Sequence, residues 1–133
     1  MKFPAPSRFP AATPMDTETL PVLDEAAIAQ LRSREIRGRN MLAQMLLVFE
    51  QEAPELVDGM RHAIEGGNLD SLYQYCHKLK GISAVMGAKR VWGYCNEVIE
   101  IHDRGALPSE AQLETIQAAV TDYLAAVAPH HAH

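Results

Sequence analysis

Apolar side chains recur at three- and four-residue steps along most of the chain from Asp24 onward, which is the spacing of one face of an α-helix. The most regular row follows a 3-4-3-4-3 spacing and consists of Leu69, Leu72, Cys76, Leu79, Ser83 and Met86. Such a row is typical of the buried face of a helix in a bundle. Asn68 is a suitable N-cap for this helix, and Gly87 is expected to end it.

Similar apolar rows predict four more helices. A short first helix runs from the N-cap Asp24 to about residue 33, and Gly38 marks a break after it. The predicted spans of the others are about 39–65, 88–102 and 109–128. Pro54 should kink or break the second helix. Ser109 and Gln112 form a capping box that opens the last helix, and Pro129 is expected to stop it.

These elements predict an all-α fold, an up-down four-helix bundle with a short additional N-terminal helix. The bundle should occupy residues 22–128. Residues 1–21 are rich in proline and lack periodicity, so we expect a disordered linker there, and we expect a disordered tail at 129–133. The linker favours a module that follows another domain, although a free-standing chain stays open.

Composition narrows the possible partners and compartments. The 133 residues suit one domain, and the net charge of −5 argues against nucleic-acid binding. The sequence contains neither an apolar run of membrane-spanning length nor a signal core, so we expect no membrane contact by this segment. Cys76 and Cys95 lie in helical apolar rows and are interpreted as reduced core residues. We therefore expect a cytoplasmic monomer.

His77 is the candidate chemical group. It follows the core residue Cys76 by one position, which places it about 100° around the helix and on its flank. Four residues share its face at helical spacing: Tyr73, Lys80, Gly81 and Ala84. An exposed imidazole is largely neutral at cytosolic pH and carries a nucleophilic lone pair.

The surroundings of His77 favour an incoming anion and an incoming protein. Residues 77–90 contain Lys78, Lys80, Lys89 and Arg90 but no acidic residue, which predicts a local positive patch. Gly81 costs a helix interior about 1 kcal/mol relative to alanine. One turn beyond the histidine, it keeps the surface clear, so that another protein could close over the imidazole.

The stretch from His77 to Ala88, HKLKGISAVMGA, resembles the HxLKGxSxxxGA motif of histidine-containing phosphotransfer (HPt) domains. The similarity extends over roughly residues 20–127. It implies that His77 accepts a phosphoryl group from the aspartate of one receiver domain and donates it to another. The upstream partner would be a sensor kinase, and the module could be the C-terminal domain of a hybrid sensor kinase or tethered to a membrane sensor kinase. It would be a carrier rather than an enzyme. It would need no metal or other cofactor of its own, because any Mg²⁺ would belong to the receiver.

The resemblance also implies roles for the neighbours of His77. Lys80 would stabilise the phosphoryl group and Gly81 would leave clearance for the receiver. Tyr73, Lys78, Ala84 and Lys89 would contribute to partner binding. Lys78 departs from the small or polar residues that are frequent in the family, and its charge would strengthen docking to an acidic receiver pocket.

Two residues of the motif are expected to be structural. Ser83 and Gly87 would serve the packing of the helices. Because Ser83 lies in the core row, its hydroxyl is expected to bond back to the carbonyl of Leu79.

Two other functions remain as alternatives. An enzyme using His77 as a covalent nucleophile would need a concave pocket and an orienting carboxylate, and the sequence near His77 indicates neither. A protein-interaction bundle could instead dock and restrain a non-receiver partner through the His77 face.

Several other residues keep an open or structural interpretation. His62 and His102 are interpreted as structural. Phe49, Met41 and Met45 form either an apolar landing surface for a receiver or part of the core. The histidines of the tail, 130–133, could hold a transition metal weakly, but a frayed terminus is favoured.

Overall fold

The computed structural model of the chain describes residues 17–131. A 3-10 turn at Thr17–Thr19 precedes five α-helices and one two-stranded hairpin. Their bounds are α1 Glu25–Ser33, β1 Glu35–Ile36, β2 Arg39–Asn40, α2 Met41–Glu65, α3 Leu69–Met86, α4 Lys89–Asp103 and α5 Glu110–His131.

The four long helices pack as a closed ring. Helix α2 contacts α3 and α5, and α4 contacts the same two helices from the opposite side. Short connections make consecutive helices antiparallel, and α1 packs on α2 and α3. The predicted all-α bundle with a short additional N-terminal helix is confirmed.

The hairpin between α1 and α2 was not predicted. Its strands pair antiparallel, with Glu35 opposite Asn40 and Ile36 opposite Arg39. The two loop residues, Arg37 and Gly38, have φ values of 57° and 82°. A two-residue loop with both residues in the left-handed region is the tight turn that suits the twist of a hairpin. Gly38 therefore forms part of this turn, in addition to marking the predicted break after α1.

The helix ends follow the predicted capping residues. The side chain of Asp24 accepts from Ala26 N at 3.0 Å, and that of Asn68 accepts from Ser71 N at 3.0 Å. The Ser109 Oγ accepts from Gln112 N at 3.3 Å, while Gln112 Oε1 accepts from Ser109 N at 2.8 Å. The predicted capping box is therefore present.

Both prolines that were expected to interrupt helices lie inside them. Helix α2 continues through Pro54 without a break, and α5 continues through Pro129 to His131. The predicted stop at Pro129 is therefore wrong. Each proline removes one backbone hydrogen bond, but buried residues such as Ala53 and Val127 keep the flanking turns packed. Residues 132 and 133 of the predicted tail lie outside the described part of the chain.

The core contains the predicted row of α3. Leu72, Cys76, Leu79, Ser83 and Met86 are all at most 1% exposed. Cys76 Sγ donates to the Cys95 carbonyl at 3.3 Å, and both cysteines are buried and free. The neighbouring Cys76 thiol, together with burial, raises the pKa of the Cys95 thiol well above its usual value, which keeps it protonated.

Tyr123 is a core residue that the apolar rows did not reveal. It is fully buried, and its ring meets Phe49 edge-on at a centroid distance of 5.1 Å. Its hydroxyl donates to the Met86 carbonyl at 2.6 Å, at the end of α3. Burial raises the pKa of this phenol. Tyr123 therefore links α5 to the last turn of the helix that carries His77.

Replacing Tyr123 with phenylalanine should lower the free energy of unfolding by about 1–2 kcal/mol, because the Met86 carbonyl would lose its buried donor. Chemical denaturation measures this difference. Tyr75→Phe is the matched control, since Tyr75 is 40% exposed and should tolerate the loss of its hydroxyl. Equal stabilities of the two variants would contradict a structural role for the Tyr123 hydroxyl.

The folded part of the chain begins before residue 22, where the sequence placed its start. Thr17 is 2% exposed and its hydroxyl donates to Glu97 of α4. The carbonyl of Leu20 accepts from Arg90 Nε at 2.6 Å. A Cβ on Gly93 would lie 2.6 Å from Thr17 Cγ2, so the missing side chain makes room for this segment. Residues 1–16 of the linker predicted over 1–21 lie outside the described part of the chain.

In residues 17–131, helices long and apolar enough to cross a bilayer are absent.

Candidate functional site

His77 lies on the outer flank of α3, next to a fully buried residue of the core row. Cys76 is 0% exposed, whereas His77 is exposed to solvent. The imidazole stacks on the ring of Tyr73, and among the described residues its nitrogens have no hydrogen-bond partner. The imidazole is therefore accessible to a macromolecule that docks on this flank.

Gly81 lies one turn beyond His77, at an open surface. A Cβ built on this glycine would meet no heavy atom within 4 Å. Its φ is not in the left-handed region, because the positive-φ glycines are Gly38, Gly67, Gly87 and Gly105. Neither packing nor backbone conformation within the described chain thus requires a glycine here. What the glycine provides is clear surface next to the imidazole.

Lys80 is held by α4 rather than extended into solvent. Its Nζ donates to Asn96 Oδ1 at 2.9 Å and lies 5.4 Å from the centroid of the Trp92 ring. A cation at this distance from an indole is attracted by the ring. The two contacts hold the positive charge of Lys80 on the same flank of the bundle as His77. Sequence reasoning missed Asn96.

The remaining predicted partner residues are on the surface. Lys78, Ala84 and Lys89 are exposed, and Tyr73 is 36% exposed. Arg90, which the sequence grouped with the lysines, is instead engaged with the Leu20 carbonyl. The exposed charges of the patch are therefore those of Lys78 and Lys89.

A family model described as the Hpt domain matches residues 44–129, close to two thirds of the chain. The chain belongs to the Hpt domain family. Hpt domains are phosphocarrier modules of phosphorelays rather than enzymes, and their partners are the receiver domains of response regulators. Neither the curated proteins nor the solved structures compared with the chain gave a match.

In this Hpt domain, the hydroxyl of Ser83 does not make the hydrogen bond that the sequence predicted. The bond to the Leu79 carbonyl is absent, and Ser83 Oγ is buried without a partner among the described residues. The core row fixes the position of this side chain but not the direction of its hydroxyl. Ser83 borders a cavity of about 270 Å³, which Ala84, Gly87 and Trp92 also line.

Replacing Ser83 with alanine should raise the free energy of unfolding by about 1 kcal/mol, because it removes a buried and unpaired hydroxyl. Thermal and denaturant unfolding measure the change. Ser109→Ala is the matched control and should act in the opposite direction, since it removes the cap of α5. A destabilised Ser83→Ala variant would show that the hydroxyl is paired in solution.

Gly87 joins α3 to the N-terminal part of the domain. It ends α3 with a φ of 71°, in the left-handed region that favours glycine. Its carbonyl accepts from Asp24 N at 2.8 Å, and a Cβ here would lie 3.0 Å from Ala27 Cβ. A side chain would therefore be strained and would press on α1.

An apolar landing surface on α2 was one of two interpretations of Phe49, Met41 and Met45, and for Phe49 it is wrong. Phe49 is 1% exposed and belongs to the core, while Met41 and Met45 are half-buried against that core. The large apolar residues that α2 does expose are Leu47 and Val48. A row with period near 3.6 does not tell which of two adjacent apolar residues faces outward.

His102 is closer to the site than its structural interpretation suggested. Its ring lies 5.1 Å from that of Tyr73, centroid to centroid. Both rings line an open cavity of about 350 Å³ together with Asp70, Gln74 and Asp103. The sequence could not pair Tyr73 with His102 because they lie on different helices.

Proposed function

We propose that His77 accepts a phosphoryl group from the aspartyl phosphate of one receiver domain and donates it to the aspartate of another. The observation that carries this proposal is an exposed imidazole beside the open surface of Gly81, in a chain of the Hpt domain family. A carrier needs one accessible nucleophile and a docking face. The exposed His77 imidazole and the clear surface at Gly81 support this assignment.

The transfer exchanges one phosphorus bond for another. A lone pair on a ring nitrogen of His77 forms the N–P bond while the P–O bond to the receiver aspartate breaks. The electron pair of the broken bond stays on the aspartate carboxylate, and the proton on the second ring nitrogen stays in place. Donation to the next receiver reverses these events.

The residues around His77 would assist by charge and by shape. Lys80, fixed by Asn96 and Trp92, provides positive charge on the flank that receives the phosphoryl group. Lys78, Ala84 and Lys89 contribute exposed surface to the receiver, and Gly81 contributes clearance. The acidic residues and the Mg²⁺ that stabilise the transferring group belong to the receiver. We further propose that the chain acts as a monomer downstream of a sensor kinase.

Transfer of a radiolabelled phosphoryl group from a phosphorylated receiver domain tests this function. The expected result is label on this chain within the time of the assay, lost in acid but retained in base, as phosphohistidine behaves. Absence of label with several receivers, from a chain shown to be folded, would contradict the carrier function. That outcome would favour the interaction bundle, which needs binding but no transfer.

A further inference from the structure

Three rings meet on the flank of the bundle that carries His77. The rings of Tyr73 and His77 are nearly parallel, with an interplanar angle of 12° and a centroid distance of 5.4 Å. The ring of His102, from α4, lies 5.1 Å from Tyr73 at an angle of 39°. Both distances fall within the range of about 4.5–7 Å in which ring pairs attract each other.

The direction of side chains on a helix favours this stack. Long side chains lean towards the N-terminus of their helix, over the residue one turn earlier. His77 therefore leans over Tyr73, four positions before it on α3. Without that ring, an exposed imidazole would exchange among staggered rotamers on a picosecond-to-nanosecond timescale. The stack with Tyr73 favours the rotamer seen here.

Tyr73 itself is held from a second helix. His102 is only partly exposed, with 21% of its side-chain surface accessible, and its Nδ1 lies 3.3 Å from Asp103 Oδ1. The ring of His102 thus gives Tyr73 a neighbour on a second helix, α4. The orientation of His77 is thereby tied to the packing of α3 against α4 and not only to its own helix.

We propose that Tyr73, held against His102, is a positioning residue that keeps the His77 imidazole in the orientation from which a ring nitrogen attacks the phosphoryl group. The inference rests on His77 being the acceptor. Holding a nucleophile in a reactive orientation raises the rate of the chemical step without requiring tighter binding of the partner. This role differs from the partner-binding role that the sequence suggested for Tyr73.

A merely structural role for Tyr73 is disfavoured by its place in the fold. Its side chain is 36% exposed, whereas the core row of the same helix, which includes the fully buried Leu72 and Cys76, lies on another face. Loss of the ring should therefore leave the bundle intact. Tyr75, two positions on, is similarly exposed at 40%, but its ring lies against Gly59 of α2. Tyr75 thus provides a matched control on the same helix.

The test compares Tyr73→Leu, Tyr73→Phe and Tyr75→Leu with the wild type in single-turnover transfer from a phosphorylated receiver, over a range of receiver concentrations. Tyr73→Leu should lower the maximal rate about two- to tenfold, the range that the strength of a ring pair allows. The half-saturating receiver concentration should stay unchanged. Tyr73→Phe keeps a ring and should restore the wild-type rate, and Tyr75→Leu should retain it.

Two outcomes would overturn the proposal. An unchanged maximal rate for Tyr73→Leu would show that the stack does not position His77. A higher half-saturating concentration at an unchanged maximal rate would make Tyr73 a docking residue instead. If the wild type itself took no label, the acceptor role of His77 would fail first, so the two failures are distinguishable.

A second measurement needs no receiver. Nuclear magnetic relaxation of the His77 ring reports its picosecond-to-nanosecond motion directly. The ring should be more mobile in Tyr73→Leu than in the wild type and Tyr73→Phe. Equal mobility in all three proteins would overturn the proposal even if a variant lost activity for another reason.

Discussion

Replacing His77 with glutamine is expected to abolish acceptance of the phosphoryl group while leaving the bundle folded. An amide side chain has no nucleophilic lone pair of comparable strength, so the N–P bond cannot form. The side chain is exposed, and surface substitutions usually change stability by no more than about 0.5 kcal/mol. Transfer of label from a phosphorylated receiver, with circular dichroism as a check of folding, measures both effects.

His62→Gln is the matched control for this loss. His62 is an exposed histidine on α2, outside the flank that carries His77. This variant should accept label at the wild-type rate. If His77→Gln bound receivers normally and still took up label, another residue would be the acceptor, and the proposed function of His77 would be wrong.

Replacing Gly81 with glutamine should slow transfer while the isolated chain becomes more stable. A Cβ at this position meets nothing within 4 Å, so the larger side chain has room in the free domain. Glutamine is also a better helix former than glycine, by roughly 0.5–1 kcal/mol. In the complex the added side chain would press on the receiver, and overpacking costs about 1–3 kcal/mol. Transfer should therefore slow by roughly five- to a hundredfold.

Gly81→Ala separates these two effects. It should gain nearly the same helix stability as Gly81→Gln but lose much less transfer, since it adds only one methyl group. The loss of rate should thus follow the size of the side chain and not the stability of the domain. Normal transfer by Gly81→Gln would show that the glycine does not provide clearance for the receiver.

Much of the bundle could be predicted because its physical cause is local. The spacing of the α3 row places Leu72, Cys76 and Leu79 on one buried face, and it places His77 on the flank. Caps such as Asn68 and Ser109 act on backbone groups only two or three residues away. Such patterns are visible in the sequence without knowledge of what packs where.

The errors concern contacts between residues that are distant in the sequence. Thr17 meets Glu97 and the space left by Gly93, which no periodicity around residue 17 reveals. Pro129 does not stop α5, because the proline removes only one hydrogen bond and Val127, just before it, is buried in the core. In each case tertiary packing overrides the local signal.

The same distinction applies to the site. The positions of His77 and Gly81 on one face follow from helical spacing alone. The support of Lys80 by Asn96, and of Tyr73 by His102, comes from α4 and depends on how two helices are aligned. Sequence reasoning therefore found the candidate nucleophile and its clear surface, but missed the residues that hold their neighbours in place.

The phosphoryl group is proposed to reside on His77, and the most direct test is to locate it in the intact chain. The chain has six histidines, which can be labelled with ¹⁵N and observed by nuclear magnetic resonance before and after transfer from a receiver. We expect that the ¹⁵N resonances of one imidazole, that of His77, shift and show coupling between ¹⁵N and ³¹P. Coupling at any other histidine, or none in a chain that carries the label, would contradict it.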